Sequence, residues 1–291
     1  MFGAPAVVDL ELESVPESVT LVRATVGGLG SSLCLDPELM DDVQMAASEA
    51  CNNVVLHAYG GRPGPLRVRL TATGGGIDVR VRDRGAGIGP MNDDYIDEHV
   101  TGLGLAVIRS LADRAEFRQL PEGGTDVYMR FERPIAALAG ESPAEVDDGD
   151  LGIADEGHPA AVAVVARVAP VSLLPAIMAR LTRALAAQAR FSVERFSDLH
   201  LVLDSVVGHA QRAAAERGIS FTVDAENRRL KLRIGPLRRR AAAGGQPADA
   251  QAVAPILRRL VDAVEIEPMA ARRDAEVLSL IVSERGFATA I

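Results

Sequence analysis

Glu49 and Asn53 stand four residues apart in a stretch of helical periodicity, so the carboxylate and the amide share one face, and His57 continues that face. Two oxygen donors placed side by side can hold a divalent cation or a water. Mg²⁺ takes oxygen ligands and usually draws few of them from protein, the rest coming from phosphate and water. Taken alone, such a pair is also what a solvated helix face looks like, and His57 and Asn52 are accounted for by local packing or capping.

Two further groups follow in the chain. Asp83, Gly85, Gly87 and Gly89 come directly after a strand-like segment. Glycines at alternate positions let backbone approach a ligand closely, and a carboxylate ending a strand can accept a hydrogen bond from an exocyclic amine. Gly102 and Gly104 then open a helical segment, where free N–H groups favour phosphate. Gly123, Gly124 and Thr125 lead into a last strand. Between the second and third groups lies PMNDDYIDEHVT (90–101), polar and acidic, as a short lid would be. The loop is not G-x-G-x-x-G and no helix follows it directly, so a Rossmann site is excluded, and no Walker A pattern is present.

The elements that must position these groups alternate between strand and helix, which is an α/β signature. Residues 7–12 alternate as a strand. Pro16 opens a helix, with Ser14 as its expected cap and Gly27-Gly28 as its expected stop. Asp36-Pro37 begins a second helix running to about residue 56. Residues 65–72 and 77–83 form an expected hairpin. A helix over 103–112 and strands over 115–119 and 126–132 complete the half.

The order Glu-x-x-x-Asn on a helix, Asp-x-Gly-x-Gly after a strand, Gly-x-Gly at a helix start and Gly-Thr before a strand resembles the GHKL (Bergerat) ATPases. Within them SEACNNVVLHAY (48–59) resembles the anti-sigma-factor serine/threonine kinases. The resemblance covers roughly residues 7–133. It implies a two-layer α/β sandwich that binds ATP and Mg²⁺. It implies that Glu49 is the general base and Asn53 the Mg²⁺ ligand. Asp83 would recognise adenine with help from Thr125, Gly85 and Gly87 would pass along the nucleotide, and Gly102 and Gly104 would face the phosphates. It further implies a cytoplasmic protein that binds a sigma factor and phosphorylates a STAS-type anti-anti-sigma partner. The alternative is a non-catalytic regulator that binds ATP and sequesters its partner. A histidine-kinase core would need a helix pair carrying a phosphoacceptor His, and a motor or chaperone would need large further domains.

Composition divides the 291 residues. Residues 1–133 carry 12 Arg and 20 acids, residues 134–160 seven acids and no base, and residues 161–291 19 bases and 13 acids, consistent with the net charge of −9. The expected domains are therefore 1–133, an acidic linker over 134–160, and 161–291. The second half repeats the first in five segments of the same order: Pro170 over Pro16, residues 198–207 over 42–51, the pair at 219–234 over 66–81, a helix over 256–266 matching 107–117, and 278–283 over 127–132. Glu49 then falls on Ser205, Asn53 on His209, Asp83 on Pro236, Gly102 and Gly104 on Gln251 and Val253, and Thr125 on Glu276. A degenerate copy without a nucleotide site is expected, giving either a pseudo-dimer within one chain or a homodimer. Cys34 and Cys51 make no disulfide framework. No secretory leader or membrane span is expected. The arginine run at 238–240 lacks aromatic interleaving, and no nucleic-acid partner is expected.

Overall fold

The structure, a computed structural model, describes residues 5–86, 102–138, 162–226, 228–239, 257, 259–269 and 272–284. Gly87, the segment 90–101, nearly all of the acidic linker and residues 240–256 lie outside the described residues.

Strand β1 (Ala6–Glu13) buries Ala6, Val8, Leu10 and Leu12 on one side, the period-two pattern of a half-buried strand. Helix α1 (Pro16–Leu33) starts with proline at its first position, where no N–H is missed. Ser14 does not cap it. The Ser14 hydroxyl accepts the Gly64 N–H at 3.0 Å, and the residue preceding the helix is Val15, which makes no side-chain cap. Nor does Gly27-Gly28 stop it. The helix runs on to Leu33 and ends where Cys34 turns left-handed and its N–H reaches the Gly30 carbonyl. The glycines serve contact instead. A Cβ on Gly28 would stand 2.8 Å from the Ile177 Cα, and one on Gly27 2.9 Å from an Arg180 nitrogen.

Helix α2 (Pro37–Asn53) is capped by Asp36, whose carboxylate accepts the N–H of Glu38 at 2.9 Å and of Leu39 at 3.3 Å. It passes into one π-helical turn over Val54–Ala58. Strands β2 (Pro65–Thr73) and β3 (Gly76–Asp83) form the expected hairpin, with Gly76 at φ +140° where a Cβ would strike the Phe131 carbonyl. Helix α3 (Gly102–Leu111) and strands β4 (Arg114–Gln119) and β5 (Thr125–Phe131) follow.

The second half contains β6 (Val162–Ala169), α4 (Leu174–Gln188), α5 (Val193–Ala213), β7 (Ile219–Glu226), β8 (Arg229–Arg238), β9 (Ala263–Met269) and β10 (Arg272–Ser283). The helix expected over 256–266 is present only in part: Leu257, Arg259 and Leu260 are helical, whereas 263 onward is strand β9.

All ten strands join one antiparallel sheet in the order β4-β5-β3-β2-β1-β6-β7-β8-β10-β9. The helices lie against it in a two-layer α/β sandwich, and a single apolar cluster runs through both halves. With three per cent aromatics that core is almost wholly aliphatic. The other sheet face carries an ion-paired ladder. Asp9, 2% exposed, is held by Arg67 at 2.7 Å and Arg69 at 2.5 Å. Asp78 accepts from Arg130 and from the Tyr128 hydroxyl, and Arg82 reaches Asp126 at 3.1 Å.

Candidate nucleotide site

Helix α2 presents Glu49 and Asn53 on its half-buried side, and the first turn of α3 lies against them. The fit is close. A Cβ built on Gly104 would stand 3.1 Å from Glu49 Oε2 and 3.3 Å from Asn53 Oδ1. Two oxygen donors thus converge on a helix start whose N–H groups have no intrahelical partner, a setting suited to phosphate and a hard cation. Glycine at 104 is what leaves the room. His57 projects to solvent beyond this cluster and takes no part in it.

The second group is built on the end of β3. Asp83 is 3% exposed, and its Oδ1 accepts the Gly85 N–H at 2.7 Å. Thr125, at the start of β5, donates to the same carboxylate from both its hydroxyl and its backbone N–H. Burial pushes the Asp83 carboxyl up from the usual aspartate value, opposed by these hydrogen bonds, which favour the charged form. A buried carboxylate of this kind is an acceptor for an amine on a ligand. Gly85 and Gly124 are required by contact. A Cβ on Gly85 would collide with the Ala58 carbonyl, and one on Gly124, at φ +92°, with the Asp83 carbonyl.

Sequence reasoning missed Tyr59 and Ala58. The Tyr59 hydroxyl accepts the Arg84 N–H at 2.8 Å and donates to the Pro65 carbonyl at 2.6 Å, and the Ala58 carbonyl accepts the Ala86 N–H at 2.8 Å. Together they clamp the glycine loop to the end of α2 through the π turn, a local distortion often found beside functional sites. The signal was the tyrosine two residues beyond His57, close enough to the Glu-x-x-x-Asn helix to reach the next loop.

Six of the sequence-derived positions, Glu49, Asn53, Asp83, Gly85, Gly104 and Thr125, are thus distributed over two adjoining clusters joined by α2 and β3. Gly102 opens α3, two residues before Gly104. Gly87 lies outside the described residues. Among the described residues no group of three His, Cys, Asp or Glu side chains is arranged to hold a metal. A divalent cation here would rest on the Asn53 oxygen, with phosphate and water supplying the remainder. No helix among the described residues is long and apolar enough to cross a membrane.

Comparison with known proteins points the same way. Residues 12–131 match the family model of the histidine kinase-like ATPase domain. A serine-protein kinase RsbW from Bacillus pumilus (strain SAFR-032) is 28% identical over 138 residues, which are 43% of this chain and 85% of that protein. An anti-sigma F factor from Thermoanaerobacter sp. (strain X514) is 27% identical over 128 residues, 42% of this chain and 90% of that protein. The anti-sigma F factor of Clostridium acetobutylicum is 27% identical over 129 residues, with the same two coverages.

Proposed function

We propose, from the match of residues 12–131 to the histidine kinase-like ATPase domain and the similarity of this half to a serine-protein kinase RsbW and to anti-sigma F factors, that this chain is an ATP-dependent serine/threonine protein kinase acting as an anti-sigma factor. It binds a sigma factor and phosphorylates a serine of a STAS-type anti-anti-sigma partner, in the cytoplasm. The observation that carries this reading is the convergence of Glu49 Oε2 and Asn53 Oδ1 on the start of α3, 3.1 and 3.3 Å from where a Cβ on Gly104 would stand.

Each residue has a task. Asp83, supported by Thr125, accepts the adenine amine, and Gly85 lets the backbone pass the ring. Gly87 continues that path. Gly102 and Gly104 turn N–H groups to the phosphates. Asn53 would hold Mg²⁺, which would neutralise phosphate charge. Glu49 takes the proton from the incoming serine hydroxyl as its oxygen bonds to the γ-phosphorus and the bond to the ADP oxygen breaks. Glu49 then releases that proton to solvent. Phosphoryl transfer is mostly positioning and charge neutralisation, and a well-placed base adds a factor of about 10²–10⁴.

A second reading keeps ATP as a switching ligand without transfer. Incubation with γ-labelled ATP and a STAS protein separates them. Label on the partner that is lost in Glu49→Gln, with ATP affinity kept within a few fold, supports the kinase. ATP binding with no label in the wild type supports the switch.

A further inference from the structure

The joint between the halves has the geometry of a two-fold axis. Strands β1 and β6 are equivalent at an offset of 156 residues, as from Ala6 to Val162 or Glu13 to Ala169. In their antiparallel register Leu10 faces Ala166, its own equivalent. Val8 faces Val168, the equivalent of Leu12, and Leu12 faces Val164, the equivalent of Val8. The register is centred on Leu10 and Ala166, at the middle of both strands, as a two-fold axis through the joint requires. The helices above repeat the relation. Helix α1 runs antiparallel to α4, with Gly28 on Ile177 at one end, Gln188 donating to the Glu17 carbonyl at the other, and Arg180 donating to Ser31 at 2.8 Å. The strand order mirrors itself about the same line.

The two outer parts differ. In the first half β3 stops at Asp83 and β5 starts at Thr125. In the second half β8 runs on to Arg238, and the ladder continues with Leu237 opposite Glu276 and Arg238 opposite Ala275. Leu237 is 1% exposed and also bridges Ala214 at the end of α5, while the Ala215 N–H reaches the Pro236 carbonyl. Paired backbone and a buried leucine fill the place that corresponds to the proposed nucleotide site of the first half.

We infer that residues 162–284 stand permanently where the second subunit of a two-fold dimer would, so that the chain works as a monomer with one open nucleotide site and one sealed by its own strands. The monomer rests on the joint alone; the single open site rests on the ATP-binding reading proposed above. Tethering keeps the second half at high effective concentration, so β1 and α1 are not available to another copy.

Three measurements on the full chain test this. Light scattering over a hundredfold range of concentration is expected to give 30.7 kDa throughout; a stable species of twice that mass overturns the inference. Hydrogen exchange is expected to protect β6 amides as well as those of β7; edge-strand exchange rates at β6 overturn the joint. ATP titration is expected to give one site per chain, and two sites overturn the sealing. Absence of any ATP binding would count against the kinase and switch readings alone, since mass and exchange decide the joint without nucleotide.

Discussion

Gly104 lies so near the Glu49 carboxylate that an added methyl would stand 3.1 Å from Oε2, tighter than most contacts a real side chain makes. The two residues are 55 positions apart in the chain, and glycine at 104 is what lets the start of α3 approach the Glu49–Asn53 face this closely. Gly104→Ala therefore separates stability from binding. Alanine favours a helix by up to about 1 kcal/mol over glycine, so the melting temperature is expected to hold or rise. ATP affinity is expected to fall about tenfold or more, as isothermal titration would show. A variant that melts earlier and binds normally would contradict this placement of α3.

Asn53→Ala removes an oxygen donor from the same cluster. ATP binding should lose its dependence on Mg²⁺ and weaken, while circular dichroism stays native because Asn53 is only half-buried. Titrations with Mg²⁺ and with EDTA compare the two states. An unchanged Mg²⁺ dependence would place the cation elsewhere.

Asp83 supplies a pH test. Burial raises its carboxyl above the ordinary 3.8. A raised carboxyl stabilises the fold only at low pH, and that contribution is lost as pH rises from the unfolded value through the folded one. Above it, the charged form opposes folding and serves the ligand. Asp83→Asn, however, sets an amide NH2 against the donors of Gly85 and Thr125, so at neutral pH it is expected to melt lower despite the removed charge. Its ATP affinity should fall by the worth of a charged hydrogen bond, about 1.5–3 kcal/mol or roughly ten- to hundredfold. For the wild type, affinity should decline on acidification at a pH above that of an ordinary aspartate. Fluorescence titration with a labelled nucleotide as the pH is lowered from neutral checks both.

Gly28→Leu forces a side chain into the Ile177 backbone. Overpacking of this kind costs about 1–3 kcal/mol, and differential scanning calorimetry should show a drop of roughly 2–4 °C per kcal/mol for a chain of this size. Gly60→Ala, where no atom lies within 4 Å of a Cβ, controls for backbone strain alone at φ +61°.

The two cysteines should react unequally. Cys34 is exposed, whereas Cys51 is fully buried in α2 and burial pushes its thiol up to about 12. Under native conditions a thiol reagent should modify Cys34 fast and Cys51 only on unfolding, as mass spectrometry of the labelled peptides would show.

Much of this molecule could be read along the chain. The Asp36-Pro37 start of α2, the hairpin of β2 and β3, and the spacing of Glu49 with Asn53 are local properties, set by caps, period and turn residues within a few positions of each other. The order of the four ligand groups pointed to the family for the same reason. Tertiary contact decided the rest. A glycine pair reads as a helix stop when only its neighbours are considered, but Gly27 and Gly28 are kept by α4, about 150 residues later. Tyr59 gained its role from Arg84 and Pro65, which only folding brings to its hydroxyl. Which strand edges meet is the least local choice of all. Alternation marked β1 as a strand, β6 was not read along the chain, and their pairing through Leu10 and Ala166 was settled by helix packing and burial across the whole sheet, quantities that no window of sequence contains.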